Sequence, residues 1–225
     1  MASEEIRAKL ESVLELLAAD RASLSSIRDP ERAWNVHVAD SLAGLELVGE
    51  PERLVDVGAG AGFPGLALAA ALPSTQVDLV ESVSRKCDFI RRAIGAAGLA
   101  NARVICERAE TWAQSPPPDG GREGYAVATA RAVGRLATLA ELAAPLLVVG
   151  GALVAWKGRR DPAEEAELQR ASELLAMRSE RIEWVGPFAG SRHRHLHLLR
   201  KTGPTPSGLP RRPGMAKKRP LGANK

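Results

Sequence analysis

The amino-acid sequence predicts an α/β protein with a seven-stranded, mostly parallel sheet, a helical segment before it and a basic segment after it. From Arg53 onward, short apolar runs alternate with longer stretches of helical period, which is typical of parallel sheets covered by helices. A glycine-rich turn follows the first of these runs. The chain has 225 residues, of which 45% are hydrophobic and 26% charged, so it can bury a core and general disorder is excluded.

Residues 1–50 predict an N-terminal helical cap. Ser3 can cap a first helix, because apolar residues recur with helical period from Ile6 to Leu17. A second helix is expected from about Glu31 to Leu47, and Pro51 ends the segment.

Residues 51–201 predict the sheet domain. Strands are expected at 53–57, 76–81, 102–106, 125–130, 151–157, 181–186 and 194–200, with helices at 63–72, 84–98, 134–143 and 161–175. The last two strands are separated by Gly186-Pro187 and Gly190 rather than by a helix. This spacing indicates an antiparallel hairpin at one edge of the sheet.

Charge is distributed unevenly along the chain. The formal net charge is +4, but residues 184–225 contain ten basic and no acidic residues, which leaves −6 on residues 1–183. An acidic body with a basic end is typical of a protein that binds a polyanion. Residues 202–225 are rich in Pro and Gly, and they predict a flexible basic tail.

Several classes of protein are not expected from this composition. No apolar run approaches the roughly 20 residues of a membrane span, and the N-terminus lacks the pattern of a secretory signal. Two cysteines, Cys87 and Cys106, argue against a disulfide framework and against a cysteine zinc site. We therefore expect a cytoplasmic protein, and we expect it to be monomeric.

The most informative stretch is Asp-Val-Gly-Ala-Gly-Ala-Gly-Phe-Pro-Gly at 56–65. Its glycines permit a tight turn and a close backbone approach to a ligand at the start of a helix. The spacing also fits G-x-G-x-x-G, so a dinucleotide such as NAD is a competing ligand. However, the carboxylate of Asp56 would repel a pyrophosphate, and it could instead accept hydrogen bonds from the turn or from a cationic amino acid. Glu81 ends the next strand, within reach of ribose hydroxyls. Together the two acids favour S-adenosylmethionine.

These residues resemble the first motif of class I, Rossmann-like methyltransferases. The longer pattern resembles the RsmG (GidB) family, the methyltransferases of bacterial small-subunit ribosomal RNA. Besides 56–65, the resemblance rests on Ser84-Arg85-Lys86, Arg108-Ala109-Glu110, Ala130-Arg131-Ala132, Trp156-Lys157-Gly158, Arg194-His195-Leu196 and Pro210-Arg211-Arg212-Pro213-Gly214 with Lys217-Lys218. The matches cover nearly the whole chain in the same order.

The resemblance implies a seven-stranded methyltransferase sheet with an N-terminal helical cap. It also implies methyl transfer from S-adenosylmethionine to N7 of one guanine near the decoding centre in 16S rRNA. The partner would be that RNA or a small ribosomal subunit particle. The residues assigned to the cofactor are Asp56, Gly58, Gly60, Gly62, Phe63, Glu81, Ala109, Glu110 and Arg131. Arg131 and Lys157 are assigned to catalysis, and Arg194, His195, Arg211, Arg212, Lys217 and Lys218 to RNA binding.

The chemistry of guanine N7 fits the residue types. N7 carries a free in-plane lone pair and needs no deprotonation, so the enzyme need only align it with the sulfonium methyl group. The fourth strand ends in Ala128-Thr129-Ala130-Arg131 rather than in the Pro-Pro-aromatic motif of exocyclic amine methylation. The alternating histidines from His193 to His197 have no carboxylate beside them, so we expect no metal site.

Three other functions remain compatible with the sequence. The chain could be an S-adenosylmethionine enzyme with a small-molecule substrate, for which tail truncation would leave activity intact. It could be an NAD-dependent oxidoreductase, which cofactor binding would decide. It could also be a non-catalytic RNA-binding module, which would bind RNA without releasing S-adenosylhomocysteine.

Overall fold

The computed structural model describes residues 3–20 and 24–223, and it confirms the predicted α/β class. One basic residue of the C-terminal segment, Lys225, lies outside these ranges. The strands are Arg53–Val57 (β1), Gln76–Val80 (β2), Ala102–Ile105 (β3), Tyr125–Arg131 (β4), Leu147–Lys157 (β5), Met177–Trp184 (β6) and His195–Lys201 (β7). They form one mixed sheet in the order β3-β2-β1-β4-β5-β7-β6. The first five strands pair in parallel, and β7 is antiparallel to both of its neighbours, which gives the predicted edge hairpin.

Helices cover both faces of this sheet. They are Glu4–Ala19 (α1), Pro30–Ala33 (α2), Asp40–Leu42 (α3), Leu45–Val48 (α4), Gly65–Ala71 (α5), Ser84–Ala96 (α6), Ala109–Trp112 (α7), Leu136–Ala143 (α8), Pro162–Leu175 (α9) and Met215–Lys218 (α10). Alternate residues of β1 face opposite sides: Leu54 packs in the core that contains α1, α5 and α6, whereas Val55 packs in the core that contains α8 and α9.

The second helix of the cap is less regular than its sequence predicts. A π-helical segment, Trp34–Ala39, continues α2 into α3, and the chain turns at Ala43 and Gly44 before α4 begins. Gly44 lies so close to the indole ring of Trp156 that a Cβ atom would overlap it. The cap therefore bends where it meets the end of β5.

The C-terminal segment differs from the flexible tail that its composition predicts. Residues 202–223 pack against the domain, with Leu209 and Ala216 buried. The Arg211 guanidinium forms a bidentate ion pair with Glu141, whose side chain is 3% exposed. Pro and Gly prevent long regular elements in this segment, but buried apolar side chains and an ion pair hold it in place.

The two cysteines also depart from expectation. Cys87, in the first turn of α6, and Cys106, which follows β3, are joined by a disulfide. Their Cα atoms are 5.8 Å apart, within the usual range for such a bond. The sequence argues against a disulfide framework because only two cysteines are present, but two suffice when the turn after β2 brings α6 beside the end of β3.

Candidate active site

The site lies at the carboxyl ends of β1, β2 and β4, where a cavity of about 820 Å³ opens. The turn after β1 forms its floor. The backbone N–H groups of Gly58 and Ala59 donate to the carbonyl oxygen of Val80, at 2.8 and 3.0 Å. Gly58 and Gly60 have φ values of 69° and 62°, which favour glycine. A Cβ atom on Gly58 would lie 2.7 Å from a methyl carbon of Val133.

The space around Gly60 shows whether a ligand could approach the backbone of the turn. A Cβ atom on Gly60 would meet only a backbone oxygen at 3.9 Å, so the space above it belongs to the cavity. The protein backbone is therefore bare at the point where a ligand must approach closely. The cavity volume also lies in the usual range for sites that bury a nucleoside-sized ligand.

Asp56 supports the turn from beneath and does not line the cavity. Its side chain is fully buried; Oδ2 accepts a hydrogen bond from the N–H of Gly65 at 2.9 Å, and Oδ1 accepts one from the hydroxyl of Thr129, also at 2.9 Å. Burial raises the pKa of Asp56 to about 6, although these hydrogen bonds act in the opposite direction. The structure thus gives Asp56 a positioning role and no direct contact with the cavity. The predicted alternative, in which Asp56 accepts hydrogen bonds from the turn, matches the structure.

Glu81 follows β2 and lines the cavity. Its Oε2 accepts a hydrogen bond from the N–H of Gly60, and its Oε1 accepts one from the N–H of Val83, both at 2.9 Å. Each carboxylate oxygen can accept a further hydrogen bond. Glu81 is therefore fixed in orientation and keeps capacity for a diol such as the ribose of a nucleoside.

The C-terminal segment forms one wall of the cavity, which sequence reasoning missed. Ala109 and Glu110 line the cavity as predicted, but Oε1 of Glu110 accepts a hydrogen bond from the N–H of Gly214 at 2.7 Å. The hydroxyl of Thr138 donates to the carbonyl oxygen of Ala216 at 3.1 Å. The sequence indicates such packing of the C-terminal segment only by the apolar residues within its basic stretch.

Lys217 and Lys218, for which the resemblance implies RNA binding, also line this wall. The same wall contains Gly214 and Ala216. Two lysines beside a cavity can attract a phosphate or a carboxylate. Their position is thus compatible both with an RNA contact and with a contact to the cofactor.

A second wall of the cavity joins the sheet to the helical cap. Arg131 ends β4 and donates from Nη1 to Oδ2 of Asp40 at 2.9 Å and to the carbonyl oxygen of Val36 at 3.1 Å. Its guanidinium carbon lies 5.9 Å from the ring centroid of Phe63. Nε of Arg194 donates to Oδ1 of the same Asp40 at 3.1 Å. A single buried carboxylate therefore positions two arginines, one at the end of β4 and one immediately before β7.

His37 completes this wall from the π-helical segment. Its ring stacks on Phe63, with centroids 5.2 Å apart and an interplanar angle of 25°, and its Nε2 lies 3.1 Å from the hydroxyl oxygen of Ser25. Burial lowers the pKa of His37 to about 4, and the charge of Arg131 adds to this effect. The imidazole is therefore neutral at pH 7.

Gly62 holds the turn without lining the cavity. Its φ is 90°, which favours glycine, and a Cβ atom there would overlap Leu66. Its carbonyl oxygen accepts a hydrogen bond from the N–H of Leu66 at 2.7 Å. Gly62 therefore shapes the entry to α5.

The structure does not bring the remaining predicted residues to the cavity. Lys157 donates to Oε1 of Glu164 at 2.6 Å and to the carbonyl oxygen of Gly134 at 3.0 Å, so its ammonium group is held by a buried carboxylate. This position does not support the predicted catalytic role of Lys157. The predicted residues outside the cavity lining are Asp56, Gly62, Lys157, Arg194, His195, Arg211 and Arg212.

Over residues 3–20 and 24–223, no group of three or more His, Cys, Asp or Glu side chains is arranged to hold a metal ion. In the same ranges, no helix combines the length and apolar character needed to cross a membrane.

The fold and the site together define a class. The protein has the features of a class I, Rossmann-like methyltransferase, as the resemblance implies. These features are a seven-stranded sheet with β7 antiparallel, a glycine turn after β1 and an acid after β2. A solved structure described as a SAM dependent methyltransferase from Aquifex aeolicus matches this fold with a TM-score of 0.56. The match covers 81% of this chain and 99% of that one, at 16% identity.

Sequence comparison identifies the family. Residues 6–196 match the GidB family model, described as rRNA small subunit methyltransferase G. The chain is 38% identical to a Ribosomal RNA small subunit methyltransferase G from Synechococcus sp. (strain JA-3-3Ab), over 99% of this chain and 88% of the relative. It is 44% identical to the protein of the same name from Pelotomaculum thermopropionicum, over 88% and 83%. The chain therefore belongs to the rRNA small subunit methyltransferase G family.

Family membership confirms the predicted enzyme class, an RNA methyltransferase, and S-adenosylmethionine as its cofactor. The NAD-dependent oxidoreductase and the non-catalytic module are accordingly set aside.

Proposed function

We propose that this protein transfers the methyl group of S-adenosylmethionine to N7 of a guanine in 16S rRNA. The observation that carries this proposal is the pairing of two walls around one cavity. One wall offers a cradle for a nucleoside cofactor, and the other offers an arginine held in place beside two stacked aromatic rings. A base that enters between them meets both the cofactor and a fixed cation.

Bound S-adenosylmethionine supplies an electrophilic methyl group, which leaves its sulfonium sulfur with the C–S electron pair remaining on sulfur, as the N7 lone pair forms the new C–N bond. The protein needs no base for this step, because N7 carries no proton. His37 and the ion-paired Arg131 match that requirement, because burial lowers the pKa of His37 to about 4 and so makes its imidazole a weak base. Their contribution is to orient the guanine and to exclude water.

In this proposal, cofactor binding depends on residues that follow three neighbouring strands, β1, β2 and β3. Gly58 and Gly60 let the ligand approach the backbone, and Glu81 accepts hydrogen bonds from ribose hydroxyls. Ala109 and Glu110 flank the adenine, closed by the segment around Gly214. Asp56 acts indirectly, by fixing the start of α5.

Substrate orientation depends on Arg131. Its guanidinium can donate to guanine O6 or to a phosphate of the RNA, and Asp40 limits its freedom to move. We also propose that the enzyme works as a monomer. We propose that it acts in the cytoplasm on RNA in a small ribosomal subunit particle.

Methyl transfer from labelled S-adenosylmethionine to naked 16S rRNA and to small subunit particles tests this function. We expect label on one guanine, and strand cleavage after borohydride and aniline treatment, which requires a cationic N7-methylated ring. Label on an exocyclic amine or on ribose would refute the N7 assignment.

Glu81→Gln should abolish binding of S-adenosylhomocysteine in calorimetry while leaving RNA affinity unchanged. Glu50→Gln, at an exposed site after α4, is the matched control. Equal loss of cofactor and RNA affinity in Glu81→Gln would show that the cavity is misassigned.

A further inference from the structure

The cavity lies at the end of the sheet where the parallel strands terminate. An exposed tryptophan lies at this same end, beyond the cavity. Lys157 at the end of β5 pairs with His195 at the start of β7, and His195 pairs with Trp184 at the end of β6. Because β5 and β6 are both antiparallel to β7, they run in the same direction. Trp184 therefore lies at the same edge of the sheet as Arg131. Three strand spacings separate β4 from β6, or about 14 Å.

Trp184 is the most exposed large hydrophobic residue among those that the structure describes, at 65%. Its ring lies over the backbone of Gly186, where a Cβ atom would come within 3.0 Å of the indole Cη2 atom. Glycine at 186 thus lets the indole rest against the main chain with most of its surface in solvent. A ring supported from one side in this way is a rigid flat platform.

Exposed cationic groups lie at the same end of the sheet as this platform, in the segments that follow β5 and precede β7. Arg159 and Arg192 are both exposed, and within residues 3–20 and 24–223 neither forms an ion pair. Nη2 of Arg159 lies 3.3 Å from Nε2 of His193, in the loop that also carries Arg192. The nearest acid along β6, Glu183, is paired with Arg181.

We propose that Trp184, Arg159 and Arg192 form a binding surface for single-stranded RNA, on which a base near the target guanine stacks against the indole. This inference rests on the proposed function, because it names the RNA segment that the same edge of the sheet holds. Unpaired bases stack on aromatic side chains while basic groups contact the phosphates. Exposed arginines without ion pairs at this end of the sheet favour a polyanion over an apolar protein surface.

The fluorescence of Trp184 supplies a direct test. The protein contains four tryptophans, and Trp184 is the one among them that ranks as an exposed large hydrophobic residue. Titration with a short single-stranded RNA oligonucleotide should quench the fluorescence of the unmodified protein. The quenching should disappear in Trp184→Phe even though the RNA still binds.

Affinity for the oligonucleotide is the second readout. Trp184→Ala should weaken binding about 5- to 150-fold, and Trp184→Phe should recover most of the loss. Leu174→Ala is the control, since Leu174 is 56% exposed and precedes the opposite end of β6. Arg159→Ala and Arg192→Ala should each lower the slope of log affinity against log salt by about one.

The outcomes separate this inference from the proposed function. If the unmodified protein methylates small-subunit RNA but Trp184→Ala binds RNA and turns over normally, the surface is refuted and the function stands. If Trp184→Ala keeps its affinity for free RNA but fails on ribosomal particles alone, the surface contacts a protein and the inference is overturned. If the unmodified protein neither binds nor methylates small-subunit RNA, the proposed function itself fails.

Discussion

Substitution of Asp40 by Asn tests the link between the helical cap and the catalytic edge of the sheet. The Asp40 side chain is 9% exposed and accepts hydrogen bonds from Arg131 and Arg194, whose side chains are 16% and 36% exposed. Asn preserves the shape and one carbonyl acceptor, but removes the charge. The backbone carbonyl of Asp40, which accepts a hydrogen bond from the indole of Trp156, is unaffected.

The magnitude follows from these exposures. Removing one partner of a fully buried pair costs about 3–5 kcal/mol. The remaining acceptor of Asn and the partial exposure of Arg194 reduce this cost, so we expect a loss of about 2–3 kcal/mol in the free energy of unfolding. For a domain of this size, the midpoint of thermal unfolding should fall by about 5–10 °C.

Urea unfolding followed by circular dichroism at pH 7 measures the loss of stability. Methyl transfer should fall at least tenfold, because Arg131 loses its orientation, whereas S-adenosylhomocysteine affinity should change less than threefold. Asp88→Asn is the matched control, because Asp88 forms an exposed ion pair with Arg91 and should cost less than about 0.5 kcal/mol. The reasoning is refuted if Asp40→Asn is no less stable and no less active than Asp88→Asn.

Three further predictions concern pH, the C-terminal wall and the glycine turn. Because the folded pKa of His37 is about 4 against an ordinary 6.5, the folded state binds fewer protons between these values and stability falls as the pH drops. Between pH 7 and pH 4.5, the unmodified protein should lose about 2 kcal/mol more than His37→Gln in urea unfolding; equal losses would contradict the burial of a neutral imidazole. Arg211→Ala should lower the free energy of unfolding by about 2–3 kcal/mol, because it leaves the buried carboxylate of Glu141 without its partner. It should also weaken S-adenosylhomocysteine binding. Adding Glu141→Gln should restore part of both losses, and no recovery would argue against the ion pair as the cause. Gly58→Ala should weaken S-adenosylhomocysteine binding at least tenfold. Gly98→Ala is the control and should lower only stability, because Gly98 also has a positive φ but faces open space. Similar affinities of the two variants in calorimetry would contradict a cofactor-binding role for the glycine turn.

The strands and the glycine turn could be predicted because their signals are local. Short apolar runs mark the parallel strands, and the order of small residues from Gly58 to Gly65 specifies a turn whatever surrounds it. The sequence predicts that β5 begins at residue 151, whereas the strand begins at Leu147. Gly150 and Gly151 interrupt the apolar run there, although the structure accommodates them within the strand.

The side-chain partners could not be predicted, because they are distant in sequence. Asp40 is separated from Arg131 by 91 positions, and Glu110 from Gly214 by 104. The resemblance implies a catalytic role for Lys157, yet a buried carboxylate on α9 holds its ammonium group. The resemblance predicts which residues belong to the site, but the packing decides whether each is free to contact a ligand or is held by another residue.

The wall formed by the C-terminal segment changes how a familiar experiment must be interpreted. Truncation of residues 202–225 would distinguish an RNA substrate from a small molecule if the segment were a free arm. Because Gly214 and Ala216 bond to residues of the cavity, the truncated protein would lose cofactor affinity whichever substrate it uses. Lys217→Ala and Lys218→Ala preserve those two bonds, since both are made by the backbone. Only such point variants can separate the charge of this segment from its architecture.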